Sequence, residues 1–473
     1  MICYEIYAGH SVSILMKTGE KEMVISIKEK GAMGDGETIN TEIIQGCIDL
    51  CYASGGGTVL VEGGVYVTGT LYMKSNVRLE IDQSAVLLAS PDISHYGTDT
   101  HYNRYRNEHN IDRCWIYAEE QENFSIGGRG MLDGNAEKFP NEGSIYRPMM
   151  LRFLRCRNIR IDEIRLYHAA AWTTAFLDSS YIWVTNVEIK NSQNYNGDGL
   201  DFDGCAHVFV RGCSITGTDD NLCLQAGNSQ YPTEHVHISD CEFTSLCAGI
   251  RIGLKSIGDI RNVTITNCTM RNIWREGIKI ECSEGGSISD IAVSNIAMRN
   301  VRRPLFVLLN NRFRPDDYGS SIELSQMPEI GKMERLLFCG ITIYDEDEMK
   351  NTHYRFGNDI MGSPRFNGIR LDAEENHKIK DVVIRDLFYV AVGGVKKEEI
   401  PADYPCVLDM KQHEDKKVSE NYYPDFSRTA CMDIRNVDNL HISGVTFKVK
   451  QPDERPIYLM EGCGDGKWEI KND

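Results

Sequence analysis

Asn158-Ile-Arg-Ile161, Tyr181-Ile-Trp-Val184 and His207-Val-Phe-Val210 are three copies of one short phrase, and they decide the fold. A polar residue opens each copy. Two apolar residues follow at a spacing of two, the pattern of a strand with one buried face. The phrase returns as His235-Val-His-Ile238, Asn262-Val-Thr-Ile265 and Asp290-Ile-Ala-Val293, with further copies beginning near Asn76, Asn123, Asp381 and Asn439. Successive copies in the middle of the chain lie between 23 residues (158 to 181) and 28 residues (207 to 235) apart, a spacing at which solenoid repeats fall.

A unit this short cannot bury its own apolar side chains, so neighbouring units must stack to make a core. The leucine consensus and the 3.6-residue periodicity of other solenoids are absent, whereas alternating β-branched strands are present. The expected class is therefore all-β, a stacked parallel β-helix. One helix precedes the repeats: Ile43, Ile44, Cys47, Ile48 and Cys51 share a face, Asn40 is placed to cap it, and Gly55-Gly56-Gly57 ends it. That helix is expected to cover the open N-terminal end of the solenoid. No linker divides the sequence, so residues 1–473 read as a single domain, with an N-terminal extension at 1–26 and long loops at 93–115, 310–335 and 395–428.

The net charge of −18 excludes nucleic acid as a partner, because phosphate binding needs a concentrated basic surface. The N-terminus lacks a basic lead and a sustained apolar run, and no stretch is long enough to span a membrane. A cytoplasmic protein is expected. The sixteen cysteines are scattered without C-x-x-C pairs, which suits buried free thiols in a reducing compartment rather than zinc or disulfides. Nothing calls for a metal or a cofactor, and a homo-oligomer is compatible with the sequence.

Four consecutive coils can be registered by their buried aliphatics. They are Gly197-Asp-Gly-Leu-Asp-Phe-Asp203, Asp219-Asp-Asn-Leu-Cys-Leu-Gln225, Cys247-Ala-Gly-Ile-Arg-Ile-Gly253 and Arg275-Glu-Gly-Ile-Lys-Ile-Glu281. The fourth and sixth residues of each are apolar, so the fifth and seventh turn outward. This registration stacks Asp198 on Asp220, with Asp219 beside them. Carboxylates one strand apart, about 4.8 Å, raise one another's pKa, a cost that points to catalysis more than to turn capping. Asp201, Cys223, Arg251 and Lys279 form the next outward column. Arg251 and Lys279 either make ion pairs with Asp201, Glu276 or Glu281, or receive a sugar carboxylate.

At these residues the sequence resembles the polygalacturonase family of glycoside hydrolases, which are right-handed parallel β-helices. The resemblance runs from Gly31-Ala-Met-Gly-Asp-Gly36, Gly55-Gly-Gly-Thr-Val59 and Gly69-Thr-Leu-Tyr-Met-Lys-Ser-Asn-Val77, through Leu132-Asp-Gly-Asn135 and Tyr146-Arg-Pro148, to Asp453-Glu-Arg-Pro456. The family's Asn-Thr-Asp-Gly corresponds to Asn196-Gly-Asp-Gly199, and its Gly-Asp-Asp to Thr218-Asp219-Asp220. The match implies Asp219 as the acid that protonates the leaving oxygen, and Asp198 with Asp220 as the pair that activates water, an inverting arrangement. The family's Gly-His-Gly reads Cys247-Ala-Gly249, so its histidine is Ala248. Its Arg-Ile-Lys reads Lys279-Ile-Glu281, and a further family histidine is absent from Trp172-Thr-Thr-Ala-Phe176.

The leading expectation is an inverting, exo-acting hydrolase of short pectin-derived or uronide oligosaccharides. Asp198, Asp219 and Asp220 would be catalytic, and Asp201, Gln225, Arg251, Lys279 and Glu281 would contact the sugar. His101, Tyr102, Tyr105 and Arg106, in the loop at 93–115, are candidates to wall one end of the site. A glycosidase for a neutral or differently decorated sugar is the alternative, with Glu281 meeting hydroxyls. A carbohydrate-binding β-helix without activity and a calcium-dependent lyase complete the set.

Overall fold

The computed structural model describes residues 6–7, 10–11, 14–17, 20–100, 111–140, 146–311, 329–347, 367–400, 427–464 and 466–472. The chain divides into two compact units: Met1–Asp201 with Cys205–Thr218, and Phe202–Gly204 with Asp219–Asp473. Each is built from coils of right-handed parallel β-helix.

In the first unit, three short strands make one coil. Met149–Leu154, Arg157–Asp162 and Arg165–Tyr167 are followed by Thr174–Leu177, Ser180–Thr185 and Glu188–Asn191. Each strand pairs in parallel with its equivalent one coil on. Leu151 faces Thr174, Ile159 faces Ile182 and then Val208, and Leu166 faces Ile189 and then Ile215. The inward residues of the repeated phrase, Ile159, Ile182 and Val208, are fully buried. Their outward neighbours stack as well: Arg160 lies 4.4 Å from the Trp183 ring centre, and Trp183 lies 5.6 Å from Phe209.

The polar residue that opens each copy takes the left-handed backbone conformation: φ is 54° at Asn158, 56° at Tyr181 and 58° at His207. Asparagine and histidine are among the residues enriched there. Asn158 donates to Asn123 Oδ1 (2.6 Å) and Asn123 to Asn76 Oδ1 (3.2 Å), so the turns are tied from coil to coil. Tyr181 is held instead between the Arg157 guanidinium and the His207 ring.

The helix spans Thr41–Ala53 and buries Ile44, Cys47, Ile48 and Cys51, with Ile43 half-buried. Gln45 fixes it to the strand Leu71–Tyr72 through both the N–H and the carbonyl of Tyr72. Asn40 stands at the N-cap position without capping by its side chain. Its amide is fully buried and serves the preceding loop, accepting from Met33 N and donating to the Met33 and Thr38 carbonyls. The loop claims the side chain the helix was expected to use. Val24, Ile25 and Ser26, assigned by sequence to an extension, pair in parallel with Thr58, Val59 and Leu60.

The second unit carries the same register through longer strands. Val236, Val263, Ile291, Leu336, Val382 and Leu440 form one inward column across five parallel pairings. His235, Asn262 and Asp290 again have positive φ. Of the expected loops, residues 101–110, 312–328 and 401–426 lie outside the described residues, as do His101, Tyr102, Tyr105 and Arg106. Fourteen cysteines are described, all as free thiols; twelve are buried, and Cys339 and Cys463 are partly exposed. Among the described residues no helix is long and apolar enough to cross a membrane.

Candidate active site

In the first unit, Asp198 sits in the loop that follows Glu188–Asn191 and is buried. Its carbonyl accepts from both the N–H (3.0 Å) and the hydroxyl (2.7 Å) of Thr173. Arg147, fully buried, holds the same loop from below. It donates to the carbonyls of Ala170 (3.2 Å) and Tyr195 (2.5 Å) and to Asn196 Oδ1 (2.7 Å). Asn196 itself has φ of 55°. The backbone that carries Asp198 is thus over-determined by a buried cation on one side and a threonine on the other.

Gly197 and Thr218, the two departures from the family's acid motifs, are in contact. The Gly197 N–H donates to Thr218 Oγ1 (3.0 Å), which donates to the Asn194 carbonyl (2.5 Å). A Cβ on Gly197 would lie 2.3 Å from that hydroxyl and 2.4 Å from the Asn191 carbonyl oxygen. Gly197→Ala is therefore expected to cost about 1–3 kcal/mol, as overpacking does. Adding Thr218→Gly should not restore the melting temperature, because the Asn191 main chain still blocks the site. Thermal melts of the single and double variants check this.

In the second unit, the register read from sequence is present. Leu222, Ile250 and Ile278 align, as do Cys223, Arg251 and Lys279. Asp219 and Asp220 form the turn before the strand Leu222–Ala226. Asp220 is buried, while Asp219 keeps partial exposure. Asp220 accepts from the Ala248 N–H (3.1 Å) and pairs with Arg251 Nη1 (2.5 Å). Asp219 accepts from the Asp220 N–H (3.0 Å), and its carbonyl takes the Ser245 hydroxyl (2.5 Å). Burial, and next the charge of Asp220, push the Asp219 carboxyl up to about 6, against the pull of Arg251, Cys247 and Arg275. Adjacent acids in such unequal surroundings can divide the roles of proton donor and base.

The expected sugar-contacting residues are distributed unevenly. Arg251 keeps some exposure, whereas Asp201, Gln225, Lys279 and Glu281 are buried. Lys279 Nζ pairs with Glu281 (3.1 Å), one of the ion pairs considered from sequence. Arg251 takes a partner that was not considered, Asp220. Gln225 falls at a slip in the ladder between Leu224 and Ala226, and its carbonyl accepts from the Gly204 N–H and the Thr233 hydroxyl.

Four further residues belong to this site. Glu276, fully buried, lies between Arg303 (2.9 Å) and Arg275 (3.9 Å). Burial opposes its ionisation, but Arg303, Arg275 and Lys279 outweigh that and hold it at about 2. Cys247 Sγ lies within 4.8 Å of carboxylate oxygens of Asp219 and Asp220. Those three side chains could meet one ion, yet burial and the neighbouring acids keep the thiol well above its usual pKa. A signal for Cys247, Arg275 and Glu276, though not for Arg303, was present in the sequence. Asp219, Cys247 and Arg275 are the first residues of three registered segments, and Asp220, Ala248 and Glu276 the second.

The sequence profile of glycosyl hydrolases family 28 matches residues 51–315. A protein described as a probable polygalacturonase from Vitis vinifera is 27% identical over 266 residues, covering 50% of this chain and 53% of that one. An exo-poly-alpha-D-galacturonosidase from Dickeya chrysanthemi is 24% identical over 274 residues, covering 47% and 45%. The chain thus spans about half the length of these curated relatives. Among solved structures, a family 28 exopolygalacturonase from Yersinia enterocolitica superposes with a TM-score of 0.71 over 97% of this chain and 80% of its own, at 16% identity. A hyperthermoactive exopolygalacturonase from Thermotoga maritima gives 0.62 over 80% and 88%, at 21% identity. These likenesses establish the shared fold.

Proposed function

This chain belongs to glycosyl hydrolase family 28, and from that premise we propose that it hydrolyses short pectin-derived or uronide oligosaccharides from a chain end, with inversion. The observation that carries the reading is the unequal pair at 219 and 220. Asp219 keeps its proton to about pH 6 beside an Asp220 engaged by a guanidinium and a main-chain N–H. Asp219 then serves as the acid that protonates the departing oxygen, and Asp220 as the base that draws a proton from water. Exo action is supported by the similarity to the exo-acting Dickeya, Yersinia and Thermotoga proteins.

Arg251 is the cation best placed to receive a sugar carboxylate, because its side chain is partly exposed while Lys279 is buried against Glu281. Arg251→Ala is expected to raise KM for acidic oligosaccharides several-fold more than for neutral ones. It should also lower kcat on both, since Asp220 loses its partner. Equal KM changes on both substrate classes would remove Arg251 from substrate recognition.

One observation favours a second reading, a neutral or differently decorated sugar. The positive charge of Lys279 is answered by Glu281, and that of Arg251 by Asp220, which leaves little net attraction for a uronate. Time-resolved proton NMR of digests of oligogalacturonides, rhamnogalacturonan fragments and neutral aryl glycosides separates the two. A monosaccharide released from an acidic substrate in the inverted anomeric form supports the proposal. Turnover of neutral sugars alone overturns its substrate class, and unsaturated products overturn hydrolysis.

A further inference from the structure

We propose that Arg275, acting through Cys247, is a positioning residue for Asp219, supplying the polar contact that Ala248 has no side chain to make. The inference rests on Asp219 being the acid, and it concerns residues with no counterpart in the catalytic motifs on which that assignment stands.

Asp219, Cys247 and Arg275 occupy the same place at the start of three successive segments of the second unit. The main chain ties two of them directly: the Arg275 N–H donates to the Cys247 carbonyl (3.1 Å). The guanidinium reaches the same residue, with Nη1 3.9 Å from Cys247 Sγ. That sulfur lies within 4.8 Å of a carboxylate oxygen of Asp219. The Cys247 N–H donates to Ser245 Oγ (2.8 Å), and the Ser245 hydroxyl donates to the Asp219 carbonyl. Side chain and main chain of residue 247 therefore both lead to Asp219.

The far end of the relay meets a buried acid at ion-pair distance. Arg275 Nε faces the fully buried Glu276, which is shared with Arg303. Arg303 in turn lies with its guanidinium 5.0 Å from the Phe306 ring centre. A carboxylate held ionised by two cations is a rigid anchor, and it aims Arg275 toward residue 247 rather than into solvent. The charged and titratable groups that act on Asp219 in this unit are Asp220, Arg251, Cys247 and Arg275. The last two pull its carboxyl down and so keep it from rising beyond a useful range.

The sign of the expected effect follows. An acid is active while protonated, so activity falls as pH rises through the Asp219 pKa. Removing the cation or the thiol lets that pKa rise, and the alkaline limb of the kcat profile moves up, by about one unit for Arg275→Gln. Looser positioning lowers kcat about tenfold, short of the ~10²–10⁴ that a general acid itself supplies, with KM little changed. Cys247→Ala should reproduce these effects, while Cys247→Ser and Arg275→Lys should restore most of kcat. Because the two residues act in series, Arg275→Gln combined with Cys247→Ala should be no worse than the more damaging single change.

The experiment is the kcat and KM pH profile of these five variants on whichever substrate the digestion panel identifies. It is paired with titration of the Asp219 carboxyl by isotope-edited infrared difference against Asp219→Asn. An unmoved limb, a change in KM alone, or additive losses overturn the proposal. The infrared titration needs no substrate. If the wild type cleaves nothing in the panel, the proposed function fails, and an upward carboxyl shift in Arg275→Gln still supports the relay while an unshifted one overturns it.

Discussion

Asp219→Asn should abolish nearly all turnover, lowering kcat by ~10²–10⁴ while leaving the fold intact. The asparagine keeps the shape of the side chain and its acceptor for the Asp220 N–H, but it has no proton to give. The same substitution should make the protein more stable at neutral pH, and the sign can be worked out. Burial and Asp220 raise the folded-state pKa of Asp219 to about 6, above the ordinary carboxylate value near 3.8. Such a group favours the fold while protonated, and that advantage is lost as pH rises through the folded value. Above pH 6 the wild type therefore carries a crowded, only partly exposed charge that the amide lacks. The melting temperature of the variant should exceed that of the wild type at pH 8, and the gap should close toward pH 4. An active variant, or one equally stable at both pH values, would contradict the acid assignment or the crowding that supports it.

The second large effect is expected at Arg147. Its guanidinium is fully buried and serves two carbonyls and the Asn196 side chain. Arg147→Leu removes all three bonds, leaving the Ala170 carbonyl to Asn194 alone and the part-buried Tyr195 and Asn196 acceptors without this donor, at about 1–3 kcal/mol for each lost bond to the cation. A loss of roughly 3 kcal/mol or more in chemical denaturation is expected. Arg147→Lys should rescue little, because one ammonium cannot reproduce the fork that spans three acceptors. Where either variant remains folded, kcat/KM should fall well beyond what stability explains, since the loop released is the one that carries Asp198. Full activity in a destabilised Arg147→Leu protein would show that the loop needs no such support.

The fold was legible because buried columns leave a period that survives in one dimension. Val236, Val263 and Ile291 could be aligned from sequence, and slipping any coil by one residue would turn its apolar set outward. The same alternation registered Arg251 with Lys279. Parity, however, says which way a side chain points and not what lies over it. Lys279 and Glu281 point outward and are buried, as are Phe306 and Leu308, the residues paired with them one coil further on. Counting from apolar residues also missed the slip after Leu224 that takes Gln225 out of line with Glu281. Asn40 was misread for another reason: a capping residue and a loop-bracing residue have the same composition signal, and only the folded loop shows which donors reach it first.

The buried thiols have a consequence for how motion in this protein can be watched. Cys47, Cys51, Cys114, Cys156, Cys205, Cys213, Cys223, Cys241, Cys247, Cys268, Cys282 and Cys431 are spread through successive coils, all sheltered from solvent. A thiol-specific reagent can reach each of them only when its own coil opens, because the reactive species is the exposed thiolate. Labelling rates read by mass spectrometry would therefore rank the coils by how often they breathe, as amide exchange does elsewhere. The chain carries, at intervals along its length, its own set of clocks.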